Sequence, residues 1–347
     1  MLERAIIADD LTGALDAAAP FAMRGISTVV ALNVFALPQA LATGAEIVSV
    51  STDSREISPE AATAAVGEAI AALPVGTPLF KKVDSRLKGN IEAELDAIPH
   101  QKSLVVPAIP AFGRWMKDGQ IGGFGVAEAI DVAKRLGRHA AAAIVPDIAE
   151  QADIDGALQE AFDLPIGARG LAEAMAKAMA PDGEAADICF PEGRAYCVIG
   201  STDPITLAQL DRLRGSTADI AYIPAPNGVA DKAARAAPLT IVQAIPGTSP
   251  ADGKTVAAAL GETLATLSPP PGSLLVLSGG ATAQVILERL GISVLELLGE
   301  ALPGLPIARA GGLTVVTKSG GFGDPDTLST LFAPYLSAGS PVQSHVR

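Results

Sequence analysis

The sequence is poor in the residues from which several common kinds of site are built. It has two cysteines, Cys189 and Cys197, and three histidines, His100, His139 and His345. The cysteine spacing fits neither a C-x-x-C redox pair nor a zinc ligand set. The histidines are scattered, which leaves little material for a His-based metal site or a Ser-His-Asp triad. No basic tract occurs and the net charge is −13, which argues against a nucleic-acid partner. No run of about 20 uncharged apolar residues occurs, so no membrane span is expected. Met1-Leu2-Glu3-Arg4 leads straight into a strand-like run, with no signal-peptide pattern. Aromatic residues are only 4%, and the single tryptophan, Trp115, and Phe322 read as packing residues. The class these absences leave is a cytoplasmic protein of a reducing compartment.

What is present is a chain of 347 residues, 49% hydrophobic. At roughly 100–200 residues per domain, two domains are expected. Short apolar runs alternate with helical patterns. Strands are expected at Ala5–Ala8, Ser27–Leu32, Glu46–Val50, Thr77–Phe80, Leu104–Val106 and Ala141–Val145. The helical patterns between and after them cover Ala14–Arg24, Ala61–Leu73, Glu92–Ile98, Val126–Leu136, Ile154–Phe162 and Leu171–Met179. The alternation restarts with strands at Tyr196–Ile199, Leu239–Ala244, Leu274–Leu277 and Leu313–Thr317 and helices at Pro204–Leu213, Asp252–Leu267, Ala283–Leu290 and Pro325–Tyr335. Such alternation implies an α/β protein of two doubly wound domains with mainly parallel sheets and an active-site cleft between them. The Pro- and Gly-bearing acidic stretch 181–194 is the expected linker, dividing a domain over 1–180 from one over 195–336, with a loose tail over 337–347.

In the first domain each strand ends in a polar cluster: Asp9-Asp10, Asp53-Ser54-Arg55, and the dense run Lys81-Lys82-Val83-Asp84-Ser85-Arg86-Leu87-Lys88-Gly89-Asn90. Parallel strands bring such clusters to one sheet edge, where open α/β sheets bind ligands. That convergence points to a small, polyhydroxylated, anionic substrate. Taken alone, the Lys81–Asn90 run reads equally well as a solvated strand-to-helix turn.

In the second domain, loops with glycine follow strands and precede helices at Gly200-Ser201-Thr202-Asp203, Ser278-Gly279-Gly280-Ala281-Thr282 and Lys318-Ser319-Gly320-Gly321-Phe322-Gly323. Glycine lets backbone N–H groups approach an anion, and a helix N-terminus adds a partial positive charge. Together these loops favour a nucleotide phosphate site. Two other motifs fail. Gly247 to Gly253 encloses five residues where a Walker A loop has four, and Gly123-x-Gly125 lacks the third glycine of a dinucleotide fingerprint. A P-loop ATPase and an NAD-dependent oxidoreductase are therefore not signalled.

The strand-end segments resemble, over almost the whole chain, the motifs of the four-carbon acid sugar kinases. Ala8-Asp9-Asp10-Leu11-Thr12-Gly13-Ala14-x-Asp16, Thr52-Asp53-Ser54-Arg55 and Lys81–Asn90 are similar to its sugar-acid motifs. The three glycine loops are similar to its nucleotide motifs. The resemblance implies an N-terminal sugar-acid domain, a C-terminal ATP domain, and phosphorylation of the terminal hydroxyl of an acid such as threonate, erythronate or 3-oxotetronate. ATP and a divalent metal, Mg2+, are the implied cofactors. The partner is a small sugar acid, and a homodimer is a candidate assembly. Departures from the pattern are Arg86 for Thr, Ala281 for an acid, and Ala168-Arg169 for Ser-Ala. Arg86 and Arg169 suit a more strongly charged substrate. The same departures motivate an alternative, a non-catalytic sugar-acid and nucleotide sensor.

Phosphoryl transfer needs positioning and charge neutralisation. Asp10, Asp84 and Lys82 are the candidate catalytic groups, with Asp10 favoured as general base. Asp9, Thr12, Asp53, Arg55, Ser85, Arg86, Lys88 and Asn90 are candidate substrate contacts, with Arg55 as carboxylate clamp. The bland alternatives are helix capping for Asp9, Asp10 and Asn90, an Arg55 ion pair with Asp53 or Glu56, and solvated lysines at 82 and 88. Gly200, Ser201, Ser278, Gly279, Gly280, Ala281, Thr282, Gly320, Gly321 and Gly323 are the candidate ATP contacts. No metal ligands can be named.

Overall fold

A computed structural model describes residues 1–215, 219–230 and 237–336. The expected loose tail from residue 337, with His345, lies outside these. The chain divides into two compact units, Met1–Ala185 and Ala186–Arg347. Among the described residues no helix is long and apolar enough to cross a membrane.

The first unit runs β1 (Arg4–Ala8), α1 (Leu11–Ala22), β2 (Thr28–Ala31), α2 (Leu37–Ala42), β3 (Ile47–Ser51), α3 (Pro59–Ala71), β4 (Leu79–Lys82), α4 (Ile91–Asp96) and β5 (Ser103–Val106). It continues with β6 (Arg114–Lys117), β7 (Gln120–Gly123), β8 (Ile130–Asp131), α5 (Val132–Leu136), β9 (Ala143–Ile144), α6 (Gln151–Ala157), β10 (Leu164–Gly167) and α7 (Arg169–Met179). The main sheet has the order β2-β3-β1-β4-β10-β5-β9, parallel throughout. Its strands are short apolar runs covered on both faces, as parallel sheets require. Ala5 to Ala8 of β1 are fully buried. The chain places β2 and β3 to one side of β1 and β4 to the other, so the strand order reverses between β1 and β4. That reversal is where doubly wound sheets leave a crevice.

Residues 113–136 differ from expectation. In place of a glycine-rich loop and a helix from Val126, β6, β7 and β8 form a small antiparallel sheet. Asp118 and Gly119, both with positive φ (49° and 71°), make the β6–β7 turn, the Asp-Gly pairing that suits a two-residue hairpin. The helix begins only at Val132, because Asp131 caps it by accepting from the Lys134 N–H at 3.0 Å. Trp115 lies over Gly122 and Gly123, where any Cβ would collide with its ring or with the Gly113 carbonyl. The helix expected over Ile154–Phe162 is the shorter, earlier α6, started by Asp153 accepting from the Ala149 and Glu150 N–H groups.

The second unit runs β11 (Ala195–Ile199), α8 (Pro204–Arg214), β12 (Ile220–Pro226), β13 (Leu239–Ile245), α9 (Gly253–Leu267), β14 (Leu274–Ser278), α10 (Gly280–Arg289), β15 (Val294–Leu302), β16 (Leu305–Ala310), β17 (Leu313–Lys318) and α11 (Thr327–Leu336). Its strand order is β12-β13-β11-β14-β17-β16-β15. The first five are parallel, and β16 is antiparallel to both neighbours. Strands β10, β12, β15 and β16 were absent from the expected set. The order reverses between β11 and β14, over a core that includes Cys197, Ile199, Leu210, Val276, Ile307 and Phe332.

Candidate active site

In the first unit the loops after β1, β3 and β4 meet beside the strand-order reversal. Asp10 is the N-cap of α1, its Oδ1 accepting from the Gly13 N–H at 2.6 Å. Arg55 reaches across from the loop after β3. Its Nε and Nη2 donate to the two oxygens of Asp9 at 2.8 and 2.9 Å, and its Nη1 lies 2.5 Å from Asp10 Oδ2. The Arg55 ion pair is thus with Asp9 and Asp10. The guanidinium fork expected to clamp a substrate carboxylate is filled by the protein's own carboxylates. A Cβ on Gly89 would stand 3.3 Å from both Arg55 Cγ and Asp9 Oδ2, so the loop after β4 backs onto this pair.

The two aspartates are not equivalent. The Asp9 side chain is 2% exposed and that of Asp10 is 27% exposed, so only Asp10 is open to a ligand. Burial pushes the Asp9 carboxyl up, but the Arg55 hydrogen bond and the charges of Lys81, Arg55 and Lys82 outweigh it and hold it below the ordinary range. Burial raises Asp10, Asp9 adds to the rise, and Arg55 and Lys82 oppose it without cancelling it. The result is a fixed anion at Asp9 and a more basic, reachable carboxylate at Asp10.

Lys82 is buried, and is not the solvated lysine of the bland reading. Its Nζ donates to the Val83 carbonyl at 2.9 Å, and a Cβ on Gly13 would lie 3.2 Å from it. Lys88 is exposed, Asp53 is exposed with φ 48°, and Thr12 is half-buried in the first turn of α1. Asn90 occupies the N-cap position of α4 without capping it. Its Nδ2 donates instead to the Ser54 and Ile57 carbonyls at 2.9 and 2.8 Å, tying the loop after β4 to the loop after β3. Asp84 Oδ1 accepts from the Arg86 N–H at 2.9 Å.

Arg114, on β6, escaped the reading from sequence. Its Nη1 donates to Ser85 Oγ at 2.5 Å and its Nη2 to the Phe124 carbonyl at 2.6 Å. Burial, then the nearby Arg86 charge, push its guanidinium below its ordinary value, with Asp84 opposing. Beneath the loops, Lys81 and Glu94 form a buried ion pair at 3.0 Å. Glu94 also accepts from Ser54 Oγ, whose oxygen is 2.6 Å from Thr52 Oγ1. Glu94 falls on the same helical face as Ile91, Leu95 and Ile98, and an acid on an apolar stripe was a readable sign of a buried partner. Arg169 pairs with Glu173 at 2.7 Å and Asp16 at 3.5 Å, so its charge is engaged within the protein.

In the second unit the three glycine loops meet. A Cβ on Gly200 would collide with the Thr282 side chain, one on Gly320 with Ser201 Oγ, and one on Gly279 would lie 3.6 Å from the Ser201 nitrogen. Helix α10 starts at an N-cap glycine, Gly279, with φ 106° and no side-chain cap. The first-turn N–H groups of Gly280, Ala281 and Thr282 have no side-chain cap from Gly279, as helix starts leave such donors without intrahelical partners. Ser278 Oγ, at the end of β14, is buried with no hydrogen-bond partner among the described residues. Ala281 is exposed, and replacing an acid there removes no backbone donor. Gly323, at φ 87°, packs against Thr327 and Gln209.

The family model described as a sugar-binding N-terminal domain matches residues 4–127, and that described as a nucleotide-binding C-terminal domain matches residues 228–328. The D-threonate kinase of Bordetella bronchiseptica is 31% identical over 93% of this chain and 95% of its own length. The chain belongs to the four-carbon acid sugar kinase family. Within that family, a 3-oxo-tetronate kinase of Methylobacterium radiotolerans is 26% identical over 92% of this chain and 96% of that protein. A D-erythronate kinase of Heliobacterium modesticaldum is 39% identical over 31% of this chain and 26% of that protein. A crystal structure of a Haemophilus influenzae protein superposes with a TM-score of 0.71 at 19% identity, over 96% of this chain and 100% of that one. A Salmonella typhimurium protein described as a putative tRNA synthase superposes at 0.74 and 20% identity, over 94% and 97%. At these identities the two structures share the fold. The α/β architecture is thus shared by this chain and these structural neighbours.

Proposed function

We propose that the chain is an ATP-dependent kinase that phosphorylates the terminal hydroxyl of a four-carbon sugar acid of the threonate, erythronate or 3-oxotetronate type. The observation that carries the chemistry is the unequal pair at the end of β1: a sequestered Asp9 and a reachable Asp10 bridged by one arginine. Asp10 accepts the proton of the acceptor hydroxyl as its oxygen attacks the γ-phosphorus. The new O–P bond forms, the bond from the γ-phosphorus to the β–γ bridging oxygen breaks, and ADP leaves. A carboxylate made more basic by burial suits this role. Lys82, its Nζ beside Gly13 and Asp10, offsets charge on the transferred group. Ser85, Arg86, Lys88, Asn90, Asp84 and Asp53, on the loops, and Thr12, in the first turn of α1, would orient the acid. Arg114, through Ser85, joins them as a positioning residue.

The phosphates of ATP are assigned to the N–H groups at the start of α10 and in the loops beginning at Gly200 and Ser319. Among the described residues no group of three or more His, Cys, Asp or Glu could hold a metal ion. A Mg2+ ion would therefore arrive on the nucleotide, held chiefly by phosphate oxygens and water, as is usual for this ion. It would neutralise charge on the β- and γ-phosphates. The unpaired Cys189 and Cys197 agree with a reducing, cytoplasmic setting.

The deciding assay supplies the purified chain with ATP, Mg2+ and a panel of threonate, erythronate and 3-oxotetronate. ADP release that depends on one of the acids is expected. No turnover with any acid, together with no ATP binding by calorimetry, overturns the proposal.

A further inference from the structure

The last residue of β17, Lys318, is 1% exposed and takes no part in the chemistry above. Its Nζ donates to Thr206 Oγ1 at 2.8 Å, to the Ser319 carbonyl at 3.0 Å and to the Gly320 carbonyl at 3.1 Å. Thr206, on α8, donates in turn to the same Gly320 carbonyl at 2.6 Å. An ammonium has three donors and no acceptor, so all three are used. The Gly320 carbonyl has both lone pairs filled.

This network fixes the direction of two peptide units. In a trans peptide the carbonyl and the following N–H point opposite ways, and the described chain has no cis peptide. Drawing the Ser319 carbonyl inward turns the Gly320 N–H outward. Drawing the Gly320 carbonyl inward does the same for the Gly321 N–H. Neither N–H has a protein partner among the described residues. The two glycines themselves lie beside Ser201 and Asp203, where a Cβ on Gly320 would collide with Ser201 Oγ and one on Gly321 would stand 3.2 Å from Asp203 Oδ2. Successive outward N–H groups form an anion-binding nest.

We propose that Lys318 is a positioning residue for the nucleotide, one that aims the Gly320 and Gly321 N–H groups at a phosphate from beneath and does not touch it. The proposal rests on the ATP reading of these loops. It distinguishes Lys318 from the phosphate-contacting lysines of other nucleotide sites: it is sealed under the loop, and its protonated state is what holds the loop in shape. A neutral amine has two donors and a lone pair, so losing the proton turns one of the three acceptors from attracted to repelled. The titratable groups acting on it are Asp203, before α8, and Cys197 on β11. Burial lowers its pKa to about 8, while Asp203 and Cys197 act to raise it. The charged form is the competent one, so ATP affinity is full below about 8 and declines as pH rises through that value.

The test is calorimetric titration of the full chain with ATP and Mg2+ on either side of pH 8, using wild type, Lys318→Met, Thr206→Val and Thr206→Ser. Wild type should lose affinity at the higher pH. Lys318→Met should bind about 10- to 100-fold more weakly at the lower pH, with no loss of affinity on raising it. Thr206→Val should be weakened by about 10-fold, and Thr206→Ser, which keeps the hydroxyl, should match wild type. A folded Lys318→Met, with wild-type circular dichroism and a cooperative melt, that binds ATP like wild type at both pH values overturns the proposal. Should that variant not fold, Thr206→Val and Thr206→Ser binding equally well overturns it. A wild type that binds no ATP at either pH removes the ATP reading itself, a result unlike either of the others.

Discussion

The two units carry different kinds of group beside their sheet reversals. Beside the reversal in the first sheet stand charged side chains: Asp9, Asp10, Arg55, Lys82 and, from the small sheet, Arg114. Beside the reversal in the second sheet stand glycine loops with one lysine buried underneath. The contrast follows from the proposed ligands. A sugar acid differs from its relatives in hydroxyl placement and chain length, which directional side chains can read. A triphosphate is the same in every encounter, so fixed backbone dipoles suffice.

That contrast can be broken most decisively at Asp10. Asp10→Asn should lower kcat by about 10²- to 10⁴-fold while ATP binding stays unchanged, and a near wild-type kcat would remove Asp10 as base. Its pH profile adds a sign. Burial raises the Asp10 pKa above the ordinary 3.8, and the base must be ionised. The value of kcat/KM should therefore fall as pH drops through an acid limb above 3.8, a limb that Asp10→Asn abolishes. Next in size is the buried support of the charged site. Lys81→Met strands Glu94 and should cost about 3–5 kcal/mol in urea unfolding. A cost below ~1 kcal/mol would mean that Glu94 does not depend on the Lys81 charge for its burial. On the backbone side, Gly320→Ala drives a methyl group into Ser201 and should weaken ATP about 10-fold with the acid KM unchanged. Gly253→Ala at the start of α9, where a Cβ meets nothing within 4 Å, should instead stabilise the chain by about 0.4–1 kcal/mol. On the side-chain half, Arg114→Lys keeps the charge but loses the fork to Ser85 and Phe124. A rise in acid KM of about 10-fold, without loss of ATP affinity, would place Arg114 on the side-chain half of the contrast.

Much of this arrangement was legible in the sequence because parallel strands bury continuous apolar runs and shed their polar groups at one end. Asp9-Asp10, Asp53-Ser54-Arg55 and the glycine loops announced both strand-end clusters. The β6–β7 hairpin was also written there, in Asp118-Gly119, but a glycine-rich stretch invites a loop assignment. Strand β15 showed its alternation, Leu295, Leu297 and Ala301 buried between more exposed neighbours, yet Glu296, Gly299 and Glu300 interrupt its apolar run. Other features depend on tertiary placement alone. That Arg55 bridges both aspartates follows from how β1 and β3 sit side by side. That Arg114 reaches Ser85 follows from the hairpin folding back on the loop after β4. Lys318 stood in plain view within a motif, but only its bonds to Thr206 of α8 and to the Ser319 and Gly320 carbonyls show its ammonium turned inward.

The hairpin that carries Arg114 also carries the chain's single tryptophan. Trp115 is 40% exposed, seated on Gly122 and Gly123, and one residue from the guanidinium that holds Ser85. Its emission is therefore an optical channel for the first unit, with no second indole to blur it. Red-edge excitation would follow the acid arriving at its loops in real time, on unlabelled protein. A signal change on adding ATP alone would report that occupancy of the glycine loops is felt at the hairpin.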